Sequence, residues 1–147
     1  MNASTDSTPK TAMVTGANSG LGFEAAAQLA ESGYDRIILA CRTVEKAEGA
    51  REQLAARVGS DPFETLAVDV ADLASSKAAA AELIQRGDRI DALLLNAGVV
   101  PGDQLNMSSD GLEIAFAASL LGHHVITMEL LEAGLLDGAR VVIVGSE

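Results

Sequence analysis

Short apolar runs alternate along the chain with longer stretches in which apolar residues recur every third or fourth position. Thr11–Thr15, Arg36–Ala40, Glu64–Val68, Ala92–Leu95 and Arg140–Val144 are the short runs. Arg36–Ala40 is a β-branched run, and Ala92–Leu95 is continuously apolar, as a strand buried on both faces should be. Between them the pattern predicts a helix over Gly20–Ser32 ended by Gly33, and a helix N-capped by Thr43 that reaches about Val58. A third helix starts at Asp72 or Ser75 and ends near Arg86 and Gly87. The longest is opened by Ser108 or Ser109 and runs to about Ala133. Gly59-Ser60-Asp61-Pro62 is a turn, and Gly98 to Met107 a glycine- and proline-bearing loop. This alternation predicts βαβ units with right-handed crossovers, hence an α/β, doubly wound parallel sheet. The expected strand order is 3-2-1-4-5, with a ligand crevice beyond the carboxyl ends of strands one and four. No repeat or linker divides the chain, so residues 11–147 read as one domain behind a Ser/Thr-rich tail, 1–10, expected to be disordered.

Composition narrows the picture. Of the 147 residues, 48% are apolar and only 3% aromatic, which suits alanine-rich helices packed closely on a sheet. The net charge of −11 argues against nucleic acid or an anionic membrane surface as partner. Cys41 is the only cysteine, so a reducing compartment is expected. The polar first ten residues lack the apolar core of a signal peptide, and no uninterrupted apolar run reaches membrane-spanning length. A cytoplasmic location is the expectation.

The chemistry begins at Gly16-Ala17-Asn18-Ser19-Gly20-Leu21-Gly22. Gly16 lets the chain turn sharply off the first strand. Gly20 lets a pyrophosphate approach the backbone, and Gly22 lets the following helix pack on the strand. The helix N-terminus then faces the anion with free N–H groups and its positive dipole end. Glycine loops also serve as plain turns; the strand before and the helix after are the context a phosphate cradle needs. The spacing, T-G-x-x-x-G-x-G, resembles the cofactor loop of the short-chain dehydrogenases/reductases. That resemblance implies a Rossmann-like sheet and a nicotinamide dinucleotide cofactor. It also implies hydride transfer to or from a carbonyl or alcohol substrate. The family's sheets continue beyond the fifth strand, so the sequence looks like the front part of a longer protein. Val141–Val144 would then be an apolar edge open to association.

On the cofactor side, Cys41 stands where a nucleotide fold often places an acid for the ribose 2′-hydroxyl. Arg42 follows, a guanidinium suited to a 2′-phosphate, although alone it would read as a solvated helix-start residue. Ala40-Cys41-Arg42 resembles NADP-preferring members, so NADP is the expected cofactor and NAD the other candidate. The family places an aspartate and the next N–H against the adenine, which matches Asp69 and Val70. Asp69 alone would read as a capping residue. Asn96-Ala97-Gly98 resembles the family's N-A-G, in which the asparagine steadies the sheet and the backbone follows the ribose.

On the catalytic side, the resemblance implies a tyrosine acid/base, a lysine four residues on, a serine at the substrate oxygen and a relay asparagine. Ser146, just after the fifth strand, matches the serine, although it could be a plain loop residue. The tyrosine and lysine would fall a dozen or more residues later, past Glu147. Tyr34, Lys10, Lys46 and Lys77 sit in the wrong segments to replace them. Phe116-Ala117-Ala118-Ser119-Leu120-Leu121-Gly122-His123 resembles F-x-x-N-x-x-G-H, with Ser119 where the asparagine belongs. His123 and His124 are adjacent on a helix and therefore a poor chelate, so no metal site is expected. Apolar residues on several sides of the 109–133 helix leave a homo-oligomer interface or burial under further segments equally open. Two functions follow: an NADP-preferring oxidoreductase whose chain as written is inactive, or a non-catalytic dinucleotide-binding protein.

Overall fold

The computed structural model describes residues 8–145. Its elements are β1 (Thr11–Thr15), α1 (Gly20–Glu31), β2 (Arg36–Cys41), α2 (Val44–Val58), β3 (Phe63–Ala67), α3 (Leu73–Arg86), β4 (Ala92–Leu95), α4 (Ile114–Glu132) and β5 (Arg140–Ile143). The strands form one parallel sheet in the order β3-β2-β1-β4-β5. Most of the tail lies outside the described residues. Its last residue, Lys10, is tied to the fold: its N–H donates to Asp35 Oδ2 at 2.8 Å, and its carbonyl accepts from Asp35 and Arg36.

Successive strand residues point to opposite faces, and both faces are covered. Met13, Ile38, Leu66 and Leu93 meet α3 and α4 through Ala79, Leu83, Ile126 and Leu130. Ala12, Val14, Ile37, Leu39 and Phe63 meet α1 and α2 through Ala26, Ala27, Ala47, Ala50 and Leu54. Burying each larger side chain contributes about 1.5–3 kcal/mol. The alanines bring the helices close to the strands, which fixes where the strand ends lie relative to the helix starts.

Helix ends follow local chemistry. Thr43 Oγ1 accepts from Lys46 N at 3.3 Å, and Asp72 Oδ1 accepts from Ser75 N at 3.1 Å. Gly59 and Gly87 close α2 and α3 in the left-handed conformation. At the end of the sheet where β2 begins, Arg36 pairs with Glu64 at 2.8 Å and with Asp88 at 2.6 Å. That pairing holds the Glu64 carboxyl below the usual carboxylate range.

The long helix departs from expectation at its start. Neither Ser108 nor Ser109 opens it; α4 begins at Ile114, capped by Glu113, whose carboxylate accepts from Ala115 N at 2.9 Å and Phe116 N at 2.7 Å. Ser108 Oγ instead accepts from Asp110 N and Leu112 N in a local turn that Gly111 completes at φ +74°. Asp110 reaches across to Leu73 N at 3.0 Å, tying this turn to the head of α3. Within α4, Ala117–Leu121 form a wider π-helical turn. By length and composition alone α4, at 19 residues, is apolar enough to cross a membrane. Its Ala118, Ile126 and Leu130 are buried in the core, while Phe116, Leu120 and Leu131 are exposed. β5 is an edge strand with Val141, Val142 and Ile143 exposed.

Candidate active site

Beyond the carboxyl ends of β1 and β4, where the strand order reverses, lies a cleft of about 370 Å³. Its floor is the glycine loop. Gly16 and Gly20 have φ of +67° and +56°, a region closed to most other residues. A Cβ on Gly22 would fall 2.3 Å from the Gly16 carbonyl oxygen and 2.5 Å from Asn96 Nδ2, so α1 starts as close to the loop as backbone allows. Unlike α2 and α3, α1 has no side-chain cap: Ser19 is extended and its hydroxyl bonds to none of the helix amides. The first-turn N–H groups, which no intrahelical carbonyl can satisfy, are left for an anion.

β2 brings Cys41 beneath this loop. The thiol is buried, which raises its pKa, and the neighbouring amides of Ala17 and Asn18 oppose that rise. No carboxylate occupies that position. Arg42 and Lys46 line the cleft beside it, both exposed. Arg36, Arg51, Arg57, Arg86 and Arg89 each pair with a carboxylate; Arg42 and Lys46 form no ion pair among the described residues.

The far wall is set by β3 and β4. Asp69 Oδ1 accepts from Ala71 N at 3.0 Å, and its own N–H donates to Ser75 Oγ at 2.9 Å, so its position is fixed. Thr15 gathers the opposite turn: its Oγ1 accepts from both Asn96 N and Ala97 N at 2.9 Å. Asn96 Nδ2 in turn donates to the carbonyls of Thr15 at 3.1 Å and Gly16 at 3.4 Å. Ile114 and Ala118 of α4 and Val99 complete an apolar side.

The structure brings Gly16, Asn18, Ser19, Arg42, Asp69, Val70, Asn96, Ala97 and Gly98 together on the cleft. Gly20, Leu21 and Gly22 form the head of α1 beside it, with Leu21 72% exposed. Ser119 is exposed and does not line the cleft; its hydroxyl lies 3.4 Å from where a Cβ of Gly98 would stand. Ser146 lies outside the described residues. Tyr34 follows α1 at the opposite end of the sheet, near Lys10 and Asp91. Sequence reasoning passed over Thr15 and Lys46 as site residues. It weighed His123 as a metal ligand or a base, whereas the ring is buried against Thr15. Lys46 was findable, since it stands in the first turn of the helix that Thr43 caps, just after Arg42 and the cap.

The family model of the short chain dehydrogenases matches residues 10–147. Human retinol dehydrogenase 13 is 38% identical over 123 residues, 84% of this chain and 37% of the relative. Protochlorophyllide reductase of Chlamydomonas reinhardtii is 35% identical over 144 residues, 93% of this chain and 35% of the relative. Among solved structures, an F189W actinorhodin polyketide ketoreductase with NADPH superposes with a TM-score of 0.74 at 26% identity, covering 90% of this chain and 51% of that one. The chain thus spans well under half the length of these curated relatives. With its glycine loop, its switch-point cleft and its strand order, the chain belongs to the short-chain dehydrogenase family.

Proposed function

We propose that this chain is the NADP(H)-binding part of an oxidoreductase acting on a carbonyl or alcohol substrate. The observation that carries the preference for NADP is the pair Arg42 and Lys46, unengaged in ion pairs among the described residues and lining the cleft beside a position that holds a thiol instead of an acid. A carboxylate there would repel a 2′-phosphate; two cations attract one. When bound, the dinucleotide supplies hydride chemistry. The residues of this chain hold and orient it. The uncapped head of α1 and Gly20 take the diphosphate, Asp69 and Val70 the adenine, and Asn96 to Gly98 the ribose next to the nicotinamide. Val99, Val100 and Pro101 give the substrate side an apolar wall. Ser146 is proposed to hydrogen-bond the substrate oxygen, and Ser119 to stand in for the relay asparagine.

Tyr34 does not line this cleft, so no acid/base role is proposed for it; what the residues on the cleft are proposed to supply is cofactor binding. A second reading, a dinucleotide-binding protein with no catalytic role, is favoured by the serine at position 119. Ser119→Asn separates the two, raising the rate of cofactor oxidation only if a relay operates there.

Arg42→Ala is expected to weaken NADPH binding roughly 10- to 100-fold, the size of a lost charge-assisted phosphate contact. NADH binding should stay within about threefold. Cofactor fluorescence titrations measure both. Equal weakening of the two dinucleotides would remove the NADP assignment.

A further inference from the structure

We infer that His123 is a positioning residue: as a neutral ring protonated on Nδ1, it fixes the Thr15 hydroxyl that joins the glycine loop to the Asn96 turn. This rests on the dinucleotide reading of the cleft.

The hydrogen-bonding capacity of Thr15 carries the argument. A threonine hydroxyl has one proton to give and two lone pairs. Both lone pairs of Thr15 Oγ1 are taken, by Asn96 N–H and Ala97 N–H at 2.9 Å each. The hydroxyl must therefore donate elsewhere. Its neighbours are His123 Nε2 at 2.8 Å and the Leu94 carbonyl at 3.5 Å, and the shorter contact is the stronger. Nε2 is then an acceptor and carries no proton. The other ring nitrogen agrees: Nδ1 lies 3.4 Å from the Ser119 carbonyl, which can only accept.

The ring is only 4% exposed, and burial disfavours its charged form. An imidazolium would turn Nε2–H toward a hydroxyl whose lone pairs are already filled. Without the ring, Thr15 is left with the 3.5 Å contact to Leu94, and the two amides it holds lose a fixed acceptor. Asn96 and Ala97 both line the cleft, so the orientation of the cofactor-facing backbone depends on a side chain that faces away from it. His124, the other histidine, is exposed and serves as an internal control.

Nitrogen-15 spectra of the histidine-labelled chain, assigned with His124→Gln, test the tautomer. The expected result is a protonated Nδ1 and an unprotonated Nε2 for His123 at neutral pH. A protonated Nε2, or a ring averaging between both forms, overturns the inference. For function, His123→Phe keeps an aromatic ring but offers no acceptor, and is expected to weaken NADPH binding about five- to tenfold. His123→Gln, whose amide oxygen can accept from Thr15, should restore binding to within about threefold. Thr15→Val combined with His123→Phe should be no weaker than the weaker single variant. Unchanged affinity in His123→Phe, or equal losses in the Phe and Gln variants, overturns the positioning role. The labelled-histidine arm needs no cofactor. A chain that binds no dinucleotide sinks the earlier reading, while the tautomer still decides this one.

Discussion

Gly22→Ala is expected to weaken NADPH binding by about 100-fold, or roughly 2.8 kcal/mol, in a chain that still folds. The added carbon would stand 2.3 Å from the Gly16 carbonyl oxygen, 2.5 Å from Asn96 Nδ2 and 2.9 Å from the Gly16 carbonyl carbon. None of these is the loose end of a flexible side chain. Relief requires α1 to move away from the loop, which carries its first-turn N–H groups off the position a diphosphate would occupy. The Asn96 amide, displaced at the same time, would release the carbonyls of Thr15 and Gly16. A fluorescence titration reads the affinity, and circular dichroism checks the fold. A folded Gly22→Ala chain with native affinity would mean that the head of α1 does not hold the dinucleotide.

The largest loss of stability is expected from Gly122→Ala. Its Cβ would lie 2.0 Å from the Val70 carbonyl oxygen, 2.8 Å from the Val70 carbonyl carbon and 3.0 Å from Ser76 Oγ. Gly122 is where α4 crosses the turn leaving β3, and its two nearest contacts, both on Val70, are main chain. Overpacking of this kind costs about 1–3 kcal/mol where side chains can adjust. Here they cannot, so a cost of about 3 kcal/mol or more is expected. That lowers the melting temperature by roughly 6–12 °C in a domain of this size. Thermal unfolding of the two chains measures it. A melting temperature within about 2 °C of the parent would show that α4 can lift off without penalty. Since Val70 lines the cleft, dinucleotide affinity should fall as well.

The sheet was legible because its central strands β1, β2 and β4 are buried on both faces and therefore mostly apolar. Ala92–Leu95 could be read without ambiguity for that reason. The glycine loop was legible because its backbone needs are peculiar to glycine, and the strand order followed from the alternation of elements. The start of α4 was not. Ser108 and Ser109 are good local caps, but Asp110 is drawn to the α3 amide of Leu73, and Gly111 turns left-handed. That competition is tertiary and invisible in a window of residues. Lys46 was weighed only as a replacement for a catalytic lysine, so its approach to Arg42 on the cleft went unremarked. His123 was judged by its neighbour His124, although its spacing from Ile126 and Leu130 already places it on the buried stripe of the helix. Its partner, Thr15, lies 108 residues away, and no local pattern reports such a contact.

Ser19 leaves the head of α1 without a cap, and this gives the chain a built-in reporter. Amides that lack an acceptor trade their hydrogens for solvent deuterium quickly, while those in packed strands do so slowly. Gly20, Leu21 and Gly22 should therefore be a fast-exchanging spot between the slow strands β1 and β2. Selective slowing of those amides would mark occupancy by any anion, whether or not it carries a chromophore.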